Sequence, residues 1–322
     1  MAKIYNQAYL KDTIVPLEQA NVGIASSAVL YGLSVYTVFP VVATKNGLSA
    51  FRLRDHYNRL LNSAKIIGID TFANNWTYDS FTQAVSELVS ANQFTETVFV
   101  RATVHVTAQV AGAKSRGLET QLSLFAYEAV PILSPTGVRL KTSVWRRTPD
   151  YSIPSRAKVN GAYVNSVLGK QDAIDSGYDD CLFLDALGHV CELSASNIFI
   201  VRDGVLITPK SSTDILEGIN RKTILELAAD MNISTLEREI DLTEVYIADE
   251  AFACGTSTGI APIIEVDARK IGFGATPLTK GIKEKYTSIL NGGDTSSKKY
   301  FTRFDTQFPQ AKDDDTAKDN WG

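Results

Sequence analysis

The chain has 322 residues and only three histidines, His56, His105 and His189. They are scattered, with no HExxH pair and no His/Cys ligand spacing, so no metal site is expected. Three cysteines, Cys181, Cys191 and Cys254, form neither a CxxC pair nor a disulfide framework. There is no basic excess: Lys and Arg total 32 against 36 Asp and Glu, for a net charge of -4. That sign and size exclude the electrostatic footprint of a nucleic-acid or anionic-membrane binder. No apolar run is long enough to span a bilayer, and the opening MAKIYNQAYLKDTI lacks the apolar core of a signal peptide. No Walker A motif occurs, and Gly272-Phe273-Gly274 lacks the third glycine of a dinucleotide fingerprint. The expectation is a soluble, reduced, cytoplasmic protein.

What is present is an ordinary globular balance of 44% hydrophobic and 21% charged residues. The length suggests about two domains. A Pro-marked stretch, Pro131 to Pro135, is read as the linker, with a small domain over 1–130, a linker over 131–136 and a large domain over 137–292. Residues 305–322, with Asp313-Asp314-Asp315, are read as a disordered acidic tail. Short strands are expected at Lys3–Tyr5 and Val35–Val42. A helix follows from Asp55, its cap, to Gly68, with Tyr57, Leu60, Leu61, Ala64 and Ile67 at helical spacing. Another covers Asp79–Ala91. Val98–Thr107 alternates cleanly, placing Phe99, Arg101, Thr103 and His105 on one face opposite a valine-rich face. That polar face is either solvated or lines a cavity. In the second half a strand at Val138–Val144 precedes a helix from about Asn160 to Asp175. Two hairpins follow, the second turning at Asp203-Gly204. Helices are expected at Asn220–Met231 and Leu278–Leu290.

Several fragments carry candidate chemistry beside a plain structural reading. Gly255-Thr256-Ser257-Thr258-Gly259 fits the GxSxG of a serine hydrolase, but no histidine follows it to act as base. The same residues read as a polar turn, or as a loop receiving an anion. Glu217-Gly218-Ile219-Asn220-Arg221 opens a helix whose free N–H groups suit phosphate, with Asn220 as the expected cap; an ordinary cap is the plain alternative. Arg59 reads as a surface arginine, Glu192 as a strand terminus, and Lys158 as one lysine among small residues at a helix entrance.

Taken in order, these fragments resemble one family. Phe51-Arg52-Leu53 through Arg59 and Ala64, Lys158 with Tyr163, Gly177-Tyr178-Asp179 to Asp185, Glu192 with Asn197 and Phe199, Asp214 through Arg221, and Gly255-Thr256 follow the order of class IV, fold-type IV pyridoxal-phosphate aminotransferases. The resemblance covers about residues 1–290. It implies an α/β (α+β) fold of two domains, a small N-terminal one and a larger mixed, barrel-like one with helices carrying Lys158 and Glu192. It also implies pyridoxal 5'-phosphate as cofactor and a homodimer in which Tyr31 reaches the partner's pocket. Lys158 would form the internal aldimine and shuttle the Cα proton. Glu192 would pair with the pyridine nitrogen, and Tyr163 would bond the ring hydroxyl. Arg59, the Ile219 and Asn220 backbone and Thr256 would hold the phosphate, and Thr256-Ser257 would face the substrate carboxylate.

The substrate signal is double. Tyr31 and Arg101 resemble the carboxylate-binding positions of branched-chain aminotransferases, with Phe99 where tyrosine is usual. Tyr36-Thr37-Val38 is similar instead to (R)-amine transaminases, which lack that arginine. The resemblance implies ping-pong transfer between a hydrophobic or branched-chain amino acid, or an (R)-primary amine, and a 2-oxo acid. An (R)-selective or D-amino-acid transaminase and an aminodeoxychorismate lyase-like enzyme are the alternatives on the same fold. A cofactor-free module and the GxSxG hydrolase lie outside it.

Overall fold

The computed structural model describes residues 2–44, 47–274, 276–292 and 295–304. The acidic tail expected at 305–322 lies outside the described residues. These residues fall into two compact units. The first holds residues up to Val130, the segment Ala157–Gly161 and the described chain from Ile289 onward. The second holds Pro131–Arg156 and Ala162–Ser288.

In the first unit, β1 (Gln7–Leu10) and β2 (Thr13–Pro16) form a hairpin. Its two turn residues, Lys11 and Asp12, both have positive φ. That turn matches the right-handed twist of the strands it joins. The strand expected at Lys3–Tyr5 is reduced to a single bridge, Ile4 to Tyr127. The burial that stabilises a strand comes instead from Ala8, Tyr9 and Leu10. After α1 (Ser27–Leu30) come β3 (Ser34–Thr44) and β4 (Gly47–Phe51), then α2 (Leu53–Ile66), α3 (Thr71–Asn75) and α4 (Tyr78–Asn92). Strands β5 (Val98–Val106) and β6 (Thr120–Glu128) follow. The seven-stranded antiparallel sheet runs from the late strand Phe301–Arg303 through β4, β3, β5, β6 and β1 to β2. Helix α2 is capped by Arg52, in the left-handed region, rather than by Asp55. Asp55 sits within the first turn and accepts from Arg52 Nη1 at 2.9 Å, an acidic group where the helix dipole favours one.

The second unit contains β7 (Val138–Thr142), α5 (Tyr163–Asp175), β8 (Asp180–Leu184), β9 (Val190–Leu193), β10 (Asn197–Arg202) and β11 (Val205–Pro209). It continues with α6 (Ile219–Asp230), β12 (Thr235–Arg238), α7 (Leu242–Tyr246), β13 (Glu250–Gly255), β14 (Gly259–Val266), β15 (Arg269–Lys270) and α8 (Pro277–Leu290). The sheet order is β12-β11-β10-β13-β14-β7-β8-β9, and β9 pairs back onto β10. Six strands therefore close into a barrel, and the closing pair is Asn197 with Glu192. Leu140, Leu182, Leu193, Ile198, Ile200, Ala253 and Ile263 belong to one buried aliphatic core. Helix α5 starts at Tyr163, three residues later than expected; Asn160 N is bonded to Ser34 O instead of entering the helix. Helix α6 is capped by Gly218, not Asn220, whose side chain is engaged elsewhere.

Candidate functional site

Lys158 belongs with the first unit, whereas the resemblance put it in the larger domain. Main-chain bonds to β3 and α2 are the reason. Tyr36 N donates to Lys158 O, and Asn160 N to Ser34 O, both at 3.0 Å. Lys158 N donates to Ser63 Oγ at 3.0 Å. Ser63, wholly buried on α2, donates in turn to Arg59 O at 2.8 Å. One hydroxyl thus ties the Lys158 backbone to the turn bearing Arg59. The approach of this segment to Gly32 is tight. Gly32 has φ +64°, and a Cβ there would lie 2.9 Å from Gly161 Cα. Only glycine fits both the dihedral and the space.

The register of β3 against β5 places Tyr36, Val38, Phe99 and Arg101 on one face of the sheet, because directly opposite residues share a face. Val38 lies opposite Arg101, and Phe99 is fully buried beside Tyr127. Helices α2 and α4 pack against the other face, where Phe39 meets His56 and Phe81. On the polar face of β5, Phe99 and Thr103 are buried and Arg101 and His105 are half-buried. Arg101 Cζ stands 3.6 Å from the Tyr36 ring centroid, and Lys158 Nζ stands 4.9 Å from the same centroid. Arg101 Nη2 also donates to Asn160 Oδ1 at 2.6 Å. Tyr31 is exposed, and its hydroxyl accepts from Gly112 N at 3.2 Å.

Arg59 is not a surface residue. Its Nη2 donates to Thr37 Oγ1 at 3.1 Å, and Thr37 lies 2.7 Å from His56 Nδ1. The Thr37 hydroxyl thus joins the Arg59 guanidinium to the His56 ring. Burial, then the positive charges of Arg59, Lys158 and Arg52, push the His56 pKa well below its ordinary value. His105 is lowered to about 4, by burial first and Arg101 second. Thr37, His56 and Ser63 are the supporting residues that sequence reading missed. The available signal was that His56 and Arg59 stand three apart, on one side of α2.

Both histidines are neutral when folded yet protonate near pH 6.5 when unfolded. The unfolded chain therefore binds more protons, and stability is complete above about pH 6.5 and declines as pH falls below it. Between pH 6.5 and 5 each group contributes a slope of up to about 1.4 kcal/mol per pH unit. Urea unfolding at pH 7 and pH 5 should show this loss, and His105→Gln should reduce the slope. Equal midpoints at the two pH values would contradict the assignment.

In the second unit, Glu192 is buried on β9. Arg147 Nη2 meets its Oε1 at 2.8 Å; Asn197 Nδ2 at 3.0 Å and Leu216 N at 3.2 Å donate to Oε2. These donors satisfy both carboxylate oxygens in the interior. Gly218 opens α6 with no side-chain cap. A Cβ there would lie 2.0 Å from Asn197 Oδ1, so glycine also protects the Asn197–Glu192 bond. Asn220 Nδ2 donates to Gly255 O and Tyr286 Oη, each at 2.8 Å, binding the helix start to the end of β13. Ile219 is the first residue of α6, and Tyr163 the first of α5. Thr256 and Ser257 form the β13–β14 hairpin turn with Thr258, between paired Gly255 and Gly259. A nucleophile elbow needs a strand-to-helix turn, so GxSxG here is a hairpin. Within the units, Lys158, Tyr36, Arg101 and Arg59 are gathered in the first. Glu192, Ile219, Asn220, Tyr163, Thr256 and Ser257 stand in the second.

A closed mixed barrel with flanking helices, in one chain with an antiparallel α/β unit, is the fold-type IV aminotransferase architecture. The family model described as amino-transferase class IV matches residues 34–266. The chain belongs to that family and is an aminotransferase. It is similar to a probable branched-chain-amino-acid aminotransferase of Aquifex aeolicus, 33% identical over 92% of this chain and 96% of the relative. The branched-chain-amino-acid aminotransferase of Pseudomonas aeruginosa is 35% identical over 87% and 91%. Among solved structures, the branched-chain aminotransferase of Thermoproteus uzoniensis with norvaline has a TM-score of 0.88 at 38% identity, covering 92% of this chain and 99% of that one. The branched-chain amino acid aminotransferase of Thermobaculum terrenum in its PLP-form has a TM-score of 0.86 at 30% identity, covering 93% and 98%.

Proposed function

We propose that this chain is a pyridoxal 5'-phosphate-dependent aminotransferase acting on branched-chain and other hydrophobic amino acids with a 2-oxo acid as acceptor. The observation that carries the reading is the Tyr36 ring, with the Lys158 amine on it at 4.9 Å and the Arg101 guanidinium at 3.6 Å. An amine for proton transfer and a cation for an α-carboxylate thereby meet at one aromatic ring. The donor set suits the cofactor. Glu192 is a buried, fully hydrogen-bonded carboxylate. The α6 N-terminus has no capping side chain and so keeps N–H groups for an anion.

When bound, the cofactor supplies an aldehyde that takes up the amino group and a ring that accepts electrons. Lys158 Nζ would be the amine that holds the cofactor and would carry the proton at the substrate Cα. Glu192 would hold the ring nitrogen. Arg59, the Ile219 and Asn220 N–H groups and Thr256 would bind the phosphate, and Tyr163 would orient the ring hydroxyl. Arg101, Thr256 and Ser257 would bind the substrate carboxylate, while Val38, Phe99 and Tyr36 would shape the apolar side. Thr37 and His56 hold Arg59 in place.

Self-association belongs to the same proposal. Ile24, Val29, Leu30 and Tyr31 are exposed within eight residues, an apolar stretch suited to a second copy. The buried thiols of Cys181, Cys191 and Cys254 suit the reducing cytoplasm. Activity toward (R)-primary amines is the second reading, on the ground that the branched Val38 lies directly opposite Arg101. The test is a substrate panel on purified holoenzyme: L-leucine, D-alanine and (R)-1-phenylethylamine, each with 2-oxoglutarate. L-Leucine should be the preferred donor. No turnover of L-branched donors, with turnover of either other donor, would replace the proposal.

A further inference from the structure

Arg101 forms no ion pair with an acidic side chain among the described residues. It is nonetheless held at two places. The Tyr36 ring covers one plane of the guanidinium, and Asn160 Oδ1 takes one edge at 2.6 Å. Asn160 is itself fixed. Its Nδ2 donates to Ser34 Oγ at 2.6 Å, and its main-chain N donates to Ser34 O at 3.0 Å. A guanidinium only donates, so the Asn160 amide must turn its oxygen to Arg101 and its nitrogen to Ser34. The amide has no second orientation that satisfies both partners. A long, flexible arginine side chain is thereby reduced to one pose at no cost in charge. A carboxylate in the place of Asn160 would hold the guanidinium as well, but would neutralise it.

We propose that Asn160 is a positioning residue for Arg101, and that its neutral amide makes the guanidinium selective for carboxylate-bearing substrates. Asn160 fixes the guanidinium over the Tyr36 ring while leaving its positive charge uncompensated. Substrates bearing a carboxylate gain from this preorganisation; amines without one do not. The proposal rests on Arg101 being the carboxylate anchor.

The experiment is calorimetric titration of the holoenzyme with 4-methylvaleric acid and with its neutral amide, comparing Asn160→Ala, Asn160→Asp and Arg101→Ala. Asn160→Ala should weaken acid binding about tenfold, the loss of one charge-assisted hydrogen bond. Asn160→Asp should weaken it further, because the new carboxylate occupies the guanidinium. Amide binding should change less than about twofold in both variants, since no charge is recognised. Asn160→Asp is isosteric, so a purely structural role for Asn160 predicts near-normal acid binding there; that result overturns the proposal even if Asn160→Ala fails to fold. Weak acid binding in Arg101→Ala with normal binding in both Asn160 variants overturns the positioning role alone. Normal acid binding in Arg101→Ala overturns the anchor reading itself.

Discussion

Lys158→Ala is expected to lose amino transfer by about 10⁴-fold or more while keeping its fold, because it removes both the nucleophilic amine and the proton carrier. The fold should survive because the segment is attached through its backbone. Lys158 N and O bond Ser63 and Tyr36 whatever the side chain. Lys158→Arg should not rescue turnover, since a guanidinium stays protonated and cannot accept the Cα proton. Single-turnover absorbance with L-leucine measures the loss. Borohydride treatment of the parent, followed by peptide mass spectrometry, should place the pyridoxyl label on Lys158. A label on another lysine, or a variant retaining more than about one per cent of turnover, would reject the role.

Glu192→Ala should cost both activity and stability, and Glu192→Gln should separate the two. Arg147 is 13% exposed at its side chain and faces Glu192 at 2.8 Å. Deleting the carboxylate leaves a nearly buried cation uncompensated, an expected loss of about 3–5 kcal/mol in urea unfolding. Asn197 and Leu216 N also lose their acceptor. Glutamine keeps the shape and one acceptor oxygen, so it should fold better than alanine. It should still lower kcat by about 10²–10³-fold, because a neutral amide cannot hold a proton on the ring nitrogen. Glu192→Ala unfolding at the parent's midpoint would remove the buried-pair account. Unchanged kcat in Glu192→Gln would remove the ring-nitrogen role.

The elements most legible in the sequence were those whose pattern reports local geometry. β5 alternates residue by residue, and its face assignment follows directly from the pleat. The Asp203-Gly204 turn has positive φ at both residues, as the dipeptide predicts. Helix ends were less legible. Asp55 and Asn220 look like caps, but Arg52 and Gly218 occupy those places. Both displaced residues are engaged by side-chain bonds, to Arg52 and to Gly255 and Tyr286, that no local pattern contains. The strand Phe301–Arg303 was missed because its pairing partner, β4, lies about 250 residues earlier.

By itself the sequence determined the family, through an ordered set of motifs, and it singled out Lys158, Arg59 and Glu192 as the candidates for its chemistry. It also determined that the GxSxG look-alike has no later histidine to serve it. Only the tertiary structure decided which groups support those residues. Ser63 bridges Arg59 to Lys158, Thr37 and His56 hold Arg59, Asn160 holds Arg101, and Arg147 pairs with Glu192. Most of these contacts join residues about 20 to 95 positions apart. Hydrogen bonds form between atoms within about 3 Å, whatever their separation along the chain. The pattern of neighbours can report a helix or a strand, but not which distant hydroxyl or amide the fold delivers to a charged group.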